Sequence, residues 1–244
     1  MKSLLKILLA TVLLTSTCVA DAKPVPSVKT NIADVVDRHL SGFSGVLVAG
    51  PFDVYITQGS SESVKVEAPA DVMGHIMTEV KDGVLKIYNK HDSWSWGNWF
   101  GHKKIAIYVS ARDLNMIAIS GSGDVFFKDG ITTNSLKLRI SGSGDMVGKV
   151  NVKILDSSIS GSGDMKLSGS AQTSTVSVVG SGDFAAKGML TVNTSVRVSG
   201  SGDADVNASN SINASVHGSG DIHYAGSAKN ISQSKTGSGD ITRY

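Results

Sequence analysis

The tetrapeptide Gly-Ser-Gly-Asp occurs seven times in the chain, beginning at Gly121, Gly142, Gly161, Gly180, Gly200, Gly218 and Gly237. Successive starts lie 21, 19, 19, 20, 18 and 19 residues apart. A period near twenty residues is the mark of a solenoid, whose units are too short to bury an apolar face alone and must stack. Leucine-rich repeats share that period, but their Leu-x-x-Leu-x-Leu pattern does not occur here.

The flanks of the tetrapeptide show what the units are made of. Two positions before the first glycine stand Ile119, Ile140, Ile159, Val178, Val198 and Val216, then Lys235. Four positions before it stand Ile117, Leu138, Ser157, Val176, Val196, Ala214 and Gln233. Between these columns lie Ala118, Arg139, Ser158, Ser177, Arg197, Ser215 and Ser234, which are small or charged. Such alternation marks a half-buried strand. After each aspartate an apolar position reopens, at Val125, Met146, Met165, Phe184, Ala204, Ile222 and Ile241, and a second glycine often follows, at Gly169, Gly188 and Gly226. Each unit therefore reads as strand, Gly-Ser-Gly-Asp turn, strand, second turn. Stacked in register, the units predict an all-β fold, a right-handed parallel β-helix with rungs of about 19 residues. Seven rungs would make a rod of roughly 34 Å. Lys235 and Gln233 give the last rung the polar face of a terminal cap.

The remaining sequence sets the boundaries. Lys2 and Lys6, an apolar run from Ile7 to Leu14 and the small residues up to Ala22 predict a signal peptide over residues 1–22, cleaved after Ala20 or Ala22. Cys18 is the single cysteine and leaves with it; Thr15 stands where a lipoprotein signal would need an aliphatic residue. The mature chain is then exported without disulfides, to the periplasm, the outer-membrane surface or the medium, with no further membrane-spanning stretch. A net charge of +2 argues against nucleic acid as a partner. Residues 23–40 form an N-terminal segment, with 31–40 either helical or extended. The β-helix domain covers 41–244, with an irregular part at 41–114 and regular rungs from 115 to 244. Within the irregular part, Val46, Val48, Gly50, Asp53 and Val54 repeat the rung frame in degenerate form, and further strands surround a hairpin turn at Asp82-Gly83.

The repeated turn could be architecture or chemistry. As architecture, Gly121, Gly123, Gly142, Gly144, Gly161, Gly163, Gly180, Gly182, Gly200, Gly202, Gly218, Gly220, Gly237 and Gly239 supply positive φ and small size at stacked corners, and each Asp accepts from nearby backbone amides. As chemistry, Asp124, Asp145, Asp164, Asp183, Asp203, Asp221 and Asp240 would form a cation ladder. Carboxylates about 4.8 Å apart repel by about 1 kcal/mol in water and about 3.5 kcal/mol at an effective dielectric near 20, so amide hydrogen bonds or Ca²⁺ must offset them. One carboxylate per rung falls short of the six to eight oxygens that Ca²⁺ takes. No cofactor is called for. A polysaccharide-cleaving site would use carboxylates beside Arg139 or Arg197, but seven identical places are what architecture produces. His39, His75, His91, His102, His217 and His223 show no metal-ligand spacing, with His217 and His223 flanking one turn.

The segment that does not repeat is His91–His102, which holds all three tryptophans, Trp94, Trp96 and Trp99, with Phe100 beside them. Clustered aromatics on a loop suit stacking on a sugar, protein or lipid surface, or capping of the solenoid's open end.

Taken together, Phe43–Gly59, Thr78–Asn89, Lys104–Val125 and the serial Ser-Gly-Ser-Gly-Asp units resemble the head GIN domain family, described as auto-transporter adhesins of bacterial envelopes. The resemblance spans about Leu40 to the end and implies a right-handed β-helix and an adhesion role. It supplies no catalytic residues. No C-terminal membrane-barrel segment is legible in the sequence, which argues against display through a barrel of its own. The expected partner is an envelope or host glycan or protein, bound through the β-helix faces and the aromatic loop, with homo-oligomerisation as a further possibility. The rival expectations are a polysaccharide-active β-helix enzyme and a self-associating structural protein of the periplasm.

Overall fold

A computed structural model describes residues 33–90 and 105–244. Its strands run β1 (Ala33–Asp37), β2 (Gly45–Ala49), β3 (Asp53–Gln58) and β4 (Ser63–Pro69), then the one-turn helix α1 (Ala70–Met73). They continue with β5 (Ile76–Lys81), β6 (Val84–Asn89), β7 (Ala106–Ala111), β8 (Met116–Gly121), β9 (Asp124–Gly142), β10 (Met146–Gly161), β11 (Met165–Gly180) and β12 (Phe184–Ala185). The last are β13 (Met189–Gly200), β14 (Ala204–Gly218), β15 (Ile222–Ala225), β16 (Asn230–Gly237) and β17 (Ile241–Arg243).

From β8 onward each rung pairs in parallel with the next, in the register that the columns predict. Ile119 lies opposite Ile140, Ile140 opposite Ile159, Ile159 opposite Val178, Val178 opposite Val198, and Val198 opposite Val216. The fold is a β-solenoid of about 7 turns with rungs about 19 residues apart. Register is fixed because a one-residue slip would turn every Ile and Val outward. These column residues and the apolar residues after each Asp, from Val125 to Ile222, are at most 2% exposed. Fully burying such a side chain contributes about 1.5–3 kcal/mol, which is the main driving force of stacking. Where two large groups would collide, size is traded between rungs: Gly148 lies opposite Phe127, and a Cβ there would strike the Phe127 ring.

The N-terminal part stacks in an order different from the sequence. The degenerate rung β2–β3 pairs on one side with β8 and the start of β9, Val48 opposite Ile119 and Asp53 opposite Asp124. On its other side it pairs with β6 and β7, which come later in the chain. Outside that rung the ladder turns antiparallel: β4 pairs with β7, β1 with β4, and β5 with β6. Asp82 and Gly83 close the β5–β6 hairpin, both with positive φ (53° and 73°), as a type I′ turn requires. Of the segment 31–40, expected to be helical or extended, Ala33–Asp37 is extended and adds the edge strand β1. At the other end all eight residues of β16 are exposed, including Gln233 and Lys235 in the positions of the apolar columns.

Candidate functional site

The repeated corner has a single geometry. The first glycine of each tetrapeptide has φ between 119° and 133°, a region that disfavours any residue with a Cβ. The second glycine is needed for a different reason: at Gly182 a Cβ would lie 2.1 Å from the carbonyl oxygen of Gly163 in the rung before. That closeness lets two amides share one acceptor. Ser181 and Gly182 both donate to the Gly161 carbonyl, at 2.9 and 3.2 Å, and the pattern recurs at Gly121, Gly142, Gly180, Gly200 and Gly218.

The aspartates stack as a ladder of hydrogen bonds. The amide of Asp145 donates to Asp124 Oδ1 at 2.9 Å, and those of Asp164, Asp183, Asp203, Asp221 and Asp240 each donate to the carboxylate of the rung before, at 2.7–2.9 Å. The acceptor role expected of Asp is therefore played toward the amide of the next rung. Each such charge-assisted hydrogen bond offsets part of the repulsion along the column. At Asp240, the last carboxylate of the ladder among the described residues, Lys235 Nζ sits 2.6 Å from Oδ1. That ammonium lowers the Asp240 carboxyl from its ordinary range, through the hydrogen bond first and the charge second. Among the described residues no group of three or more His, Cys, Asp or Glu is placed to hold a metal ion.

Among the described residues, arginine and carboxylate do not converge at these corners. Arg139 pairs with Asp156 at 3.2 Å, both half exposed, along the middle of the rung face. Arg197 stands in the same outward column as Arg139, three rungs later, opposite Ser177 and Ser215. The histidines flanking the sixth turn have separate partners: His217 Nδ1 lies 3.4 Å from the Ser215 hydroxyl, and His223 Nδ1 lies 2.7 Å from the Thr242 hydroxyl.

The outer faces carry what remains. Tyr108, Tyr55 and Phe126 occupy neighbouring rungs of one outward column and stack, with centroids 5.4 and 5.2 Å apart. Lys128 lies 5.6 Å from the Phe126 centroid, and the Tyr108 hydroxyl donates to Glu67 at 2.9 Å, which raises the Tyr108 pKa. The stack is not legible in the sequence, because Tyr55 lies 53 and 71 positions from its two partners (108 − 55 and 126 − 55); the interleaved stacking brings them together. A shallow groove of about 560 Å³ runs along the second corner, where Thr132, Asn151 and Ser170 stack in line and Asn134, Lys153 and Gln172 form the rim. A smaller cleft of about 400 Å³ lies at the N-terminal corner, beside Tyr88 and Pro51. Trp94, Trp96, Trp99 and Phe100, the residues read as ligand contacts, lie outside the described residues.

Residues 42–228 match the family model described as "Putative auto-transporter adhesin, head GIN domain". The chain belongs to that family. Solved structures agree with the assignment. A putative adhesin from Bacteroides fragilis is 28% identical with a TM-score of 0.82, the match covering 87% of this chain and 97% of that one. A putative adhesin from Parabacteroides distasonis (24% identical, TM-score 0.71, covering 87% and 97%) shares the fold. So does a putative lipid binding protein from the same species (22% identical, TM-score 0.71, covering 88% and 98%). No curated protein matches the chain in sequence. The names of the head GIN family and its solved members fit an adhesion module and an exported protein, and no helix among the described residues is long and apolar enough to cross a membrane.

Proposed function

We propose that this head GIN protein is a non-enzymatic adhesion module of the bacterial cell envelope, holding a glycan or protein partner against the faces of its β-helix. One observation carries the reading. The carboxylate column is engaged in holding rungs together, as each of its members from Asp124 to Asp221 accepts the next rung's amide. What is left for a partner is the exterior: stacked hydroxyls and carboxamides at Thr132, Asn151 and Ser170, and the aromatic stack of Tyr108, Tyr55 and Phe126. A partner that is itself a repeating polymer can meet such rows at several rungs at once, so weak contacts add through multivalency. Trp94, Trp96, Trp99 and Phe100 supply the non-repeating contact, and the protein acts after export.

The test is a glycan array and an envelope-protein pull-down with the mature chain, beside a variant with all three Trp changed to Ala. Binding that the triple variant weakens without a fall in melting temperature supports the assignment. New reducing ends released from an envelope or plant glycan would overturn it in favour of a polysaccharide-active enzyme.

A further inference from the structure

The groove of about 560 Å³ along the second corner has a cross-section that the fold sets rung by rung. Thr132, Asn151 and Ser170 stand exposed in one outward column and form one wall. Asn134, Lys153 and Gln172, also exposed, form the other. Between the walls the chain turns its side chains inward: Thr133 is half-buried, Val152 and Ala171 are buried, and the floor is low and uncharged. Ser170 Oγ donates to Asn151 Oδ1 at 3.2 Å, which leaves the Asn151 Nδ2 hydrogens for the trough. Asp113 lines one end, where the Gln58 carboxamide accepts from the Thr132 amide at 2.8 Å and donates to the Thr132 carbonyl at 3.1 Å. At the other end the polar wall stops, since Leu190 lies opposite Ser170 and is 64% exposed. The trough is thus three rungs long, and its wall groups recur about every 4.8 Å.

We propose that this trough holds a linear glycan of equatorially linked pyranoses, lying flat along the rod with about one sugar per rung. The inference rests on the adhesion reading and names a ligand class for it. A pyranose with equatorial substituents carries C–H groups on its two faces and hydroxyls around its rim. Laid on the low floor, such a ring turns a C–H face down and its hydroxyls toward both walls, where carboxamides offer donors and acceptors. A β-1,4 chain of these rings is extended and advances by close to one rung per sugar, whereas an α-1,4 chain of the same sugar coils away from the floor. A peptide fits worse on two counts. Its side chains recur on one face about every 6.6 Å, two residues of extended chain, out of step with the rungs. It also finds no main chain to pair with, because β10 and β11 are paired on both edges and the Thr132 amide and carbonyl are taken by Gln58. The charged groups of the lining are Lys153 and Asp113, one of each sign, so a nucleic acid finds too few cations.

The experiment is calorimetric titration and amide NMR of the full mature chain with cellobiose, cellotriose and cellohexaose, with maltohexaose and a blocked threonine hexapeptide as the other arms. Cellohexaose is expected to shift the Asn151, Lys153 and Gln172 amides and to bind at least about tenfold more tightly than maltohexaose. Affinity should rise from cellobiose to cellotriose and then level off, because the polar walls end there. Asn151→Ala combined with Gln172→Ala should weaken cellohexaose about tenfold through lost hydrogen bonds and leave melting unchanged, as both positions are exposed. Thr175→Ala, exposed on another face, should change neither. If the double variant melts lower, Lys153→Trp blocks the trough from an exposed position and takes its place. Equal affinity for the two hexaoses, tighter binding of the peptide, affinity unmoved by the wall variants, or no binding at millimolar cellohexaose overturns the proposal. Binding on the glycan array or in the pull-down then leaves the adhesion reading standing, whereas a blank array and a blank pull-down refute both.

Discussion

Gly182→Ala tests whether the rod is held at its corners by close backbone approach. The new Cβ would sit 2.1 Å from the Gly163 oxygen, 3.0 Å from its carbonyl carbon and 3.1 Å from its nitrogen. Carbon and oxygen without a strong bond stay about 3.3 Å apart, so the two rungs must separate locally by about 1 Å. Three hydrogen bonds cross that gap: Ser181 and Gly182 to the Gly161 carbonyl, and Asp183 to the Asp164 carboxylate. At about 0.5–1.5 kcal/mol each, and with Phe184 and Val178 loosened in the core, the loss comes to about 3–5 kcal/mol. For a chain of this size that is a fall in melting temperature of about 6–20 °C. Gly188 is the internal control, for a Cβ there meets nothing within 4 Å and its φ is not positive. Gly188→Ala should therefore stabilise by about 0.4–1 kcal/mol through the unfolded chain. Urea unfolding followed by far-ultraviolet circular dichroism gives both midpoints. If the two alanine variants unfold at the same urea concentration, the corner argument fails.

Other perturbations separate the core, the ladder and the cap. Ile159→Ala should destabilise by about 2–5 kcal/mol and Ile154→Ala by under about 0.5 kcal/mol in the same denaturation assay, since the first side chain is fully buried and the second is 54% exposed. Asp164→Asn keeps an acceptor for the Asp183 amide but removes two neighbouring repulsions of about 0.9 kcal/mol each in water, so its midpoint should not fall at low salt, and the difference from the parent should shrink near 1 M salt. Millimolar Ca²⁺ should leave the melting temperature of both proteins unchanged; a rise in the parent that Asp164→Asn abolishes would make the column a cation site. Lys235→Ala should raise the Asp240 pKa toward the usual carboxylate range in an NMR pH titration. Because the parent value is depressed, the stability this pair contributes is present above the unfolded-state pKa and is lost as pH falls through the folded one, and the variant should lack that acid-side component.

The period and the alternating columns made the regular rungs legible, because buried strands must repeat their apolar positions wherever they stack. Ile119 to Val216 can be placed inside from the alternation alone, and so can the degenerate frame at Val46 to Val54. Stacking order was not legible. Nothing in the letters of Val84–Asn89 says that it lies outside a rung that precedes it, since a parallel ladder records which faces are apolar and not which strand is next. The aromatic stack was hidden for the same reason. The partner of each Asp was also out of reach, because a local turn and an inter-rung bond use the same residue at the same position.

The interleaved end has a bearing on how far this protein reaches. Rungs from β9 to β14 follow one another in chain order, and each touches only its neighbours, so excising a segment such as 161–179 joins one Gly-Ser-Gly-Asp corner to an equivalent one. The β2–β3 rung allows no such excision, because it is clamped between strands that come later in the chain. Length is thus a free parameter on one side of a fixed base, adjustable in steps of about 4.8 Å. A lineage, or an engineer, can set the distance between that base and the far tip of the rod by copying or deleting a single cassette.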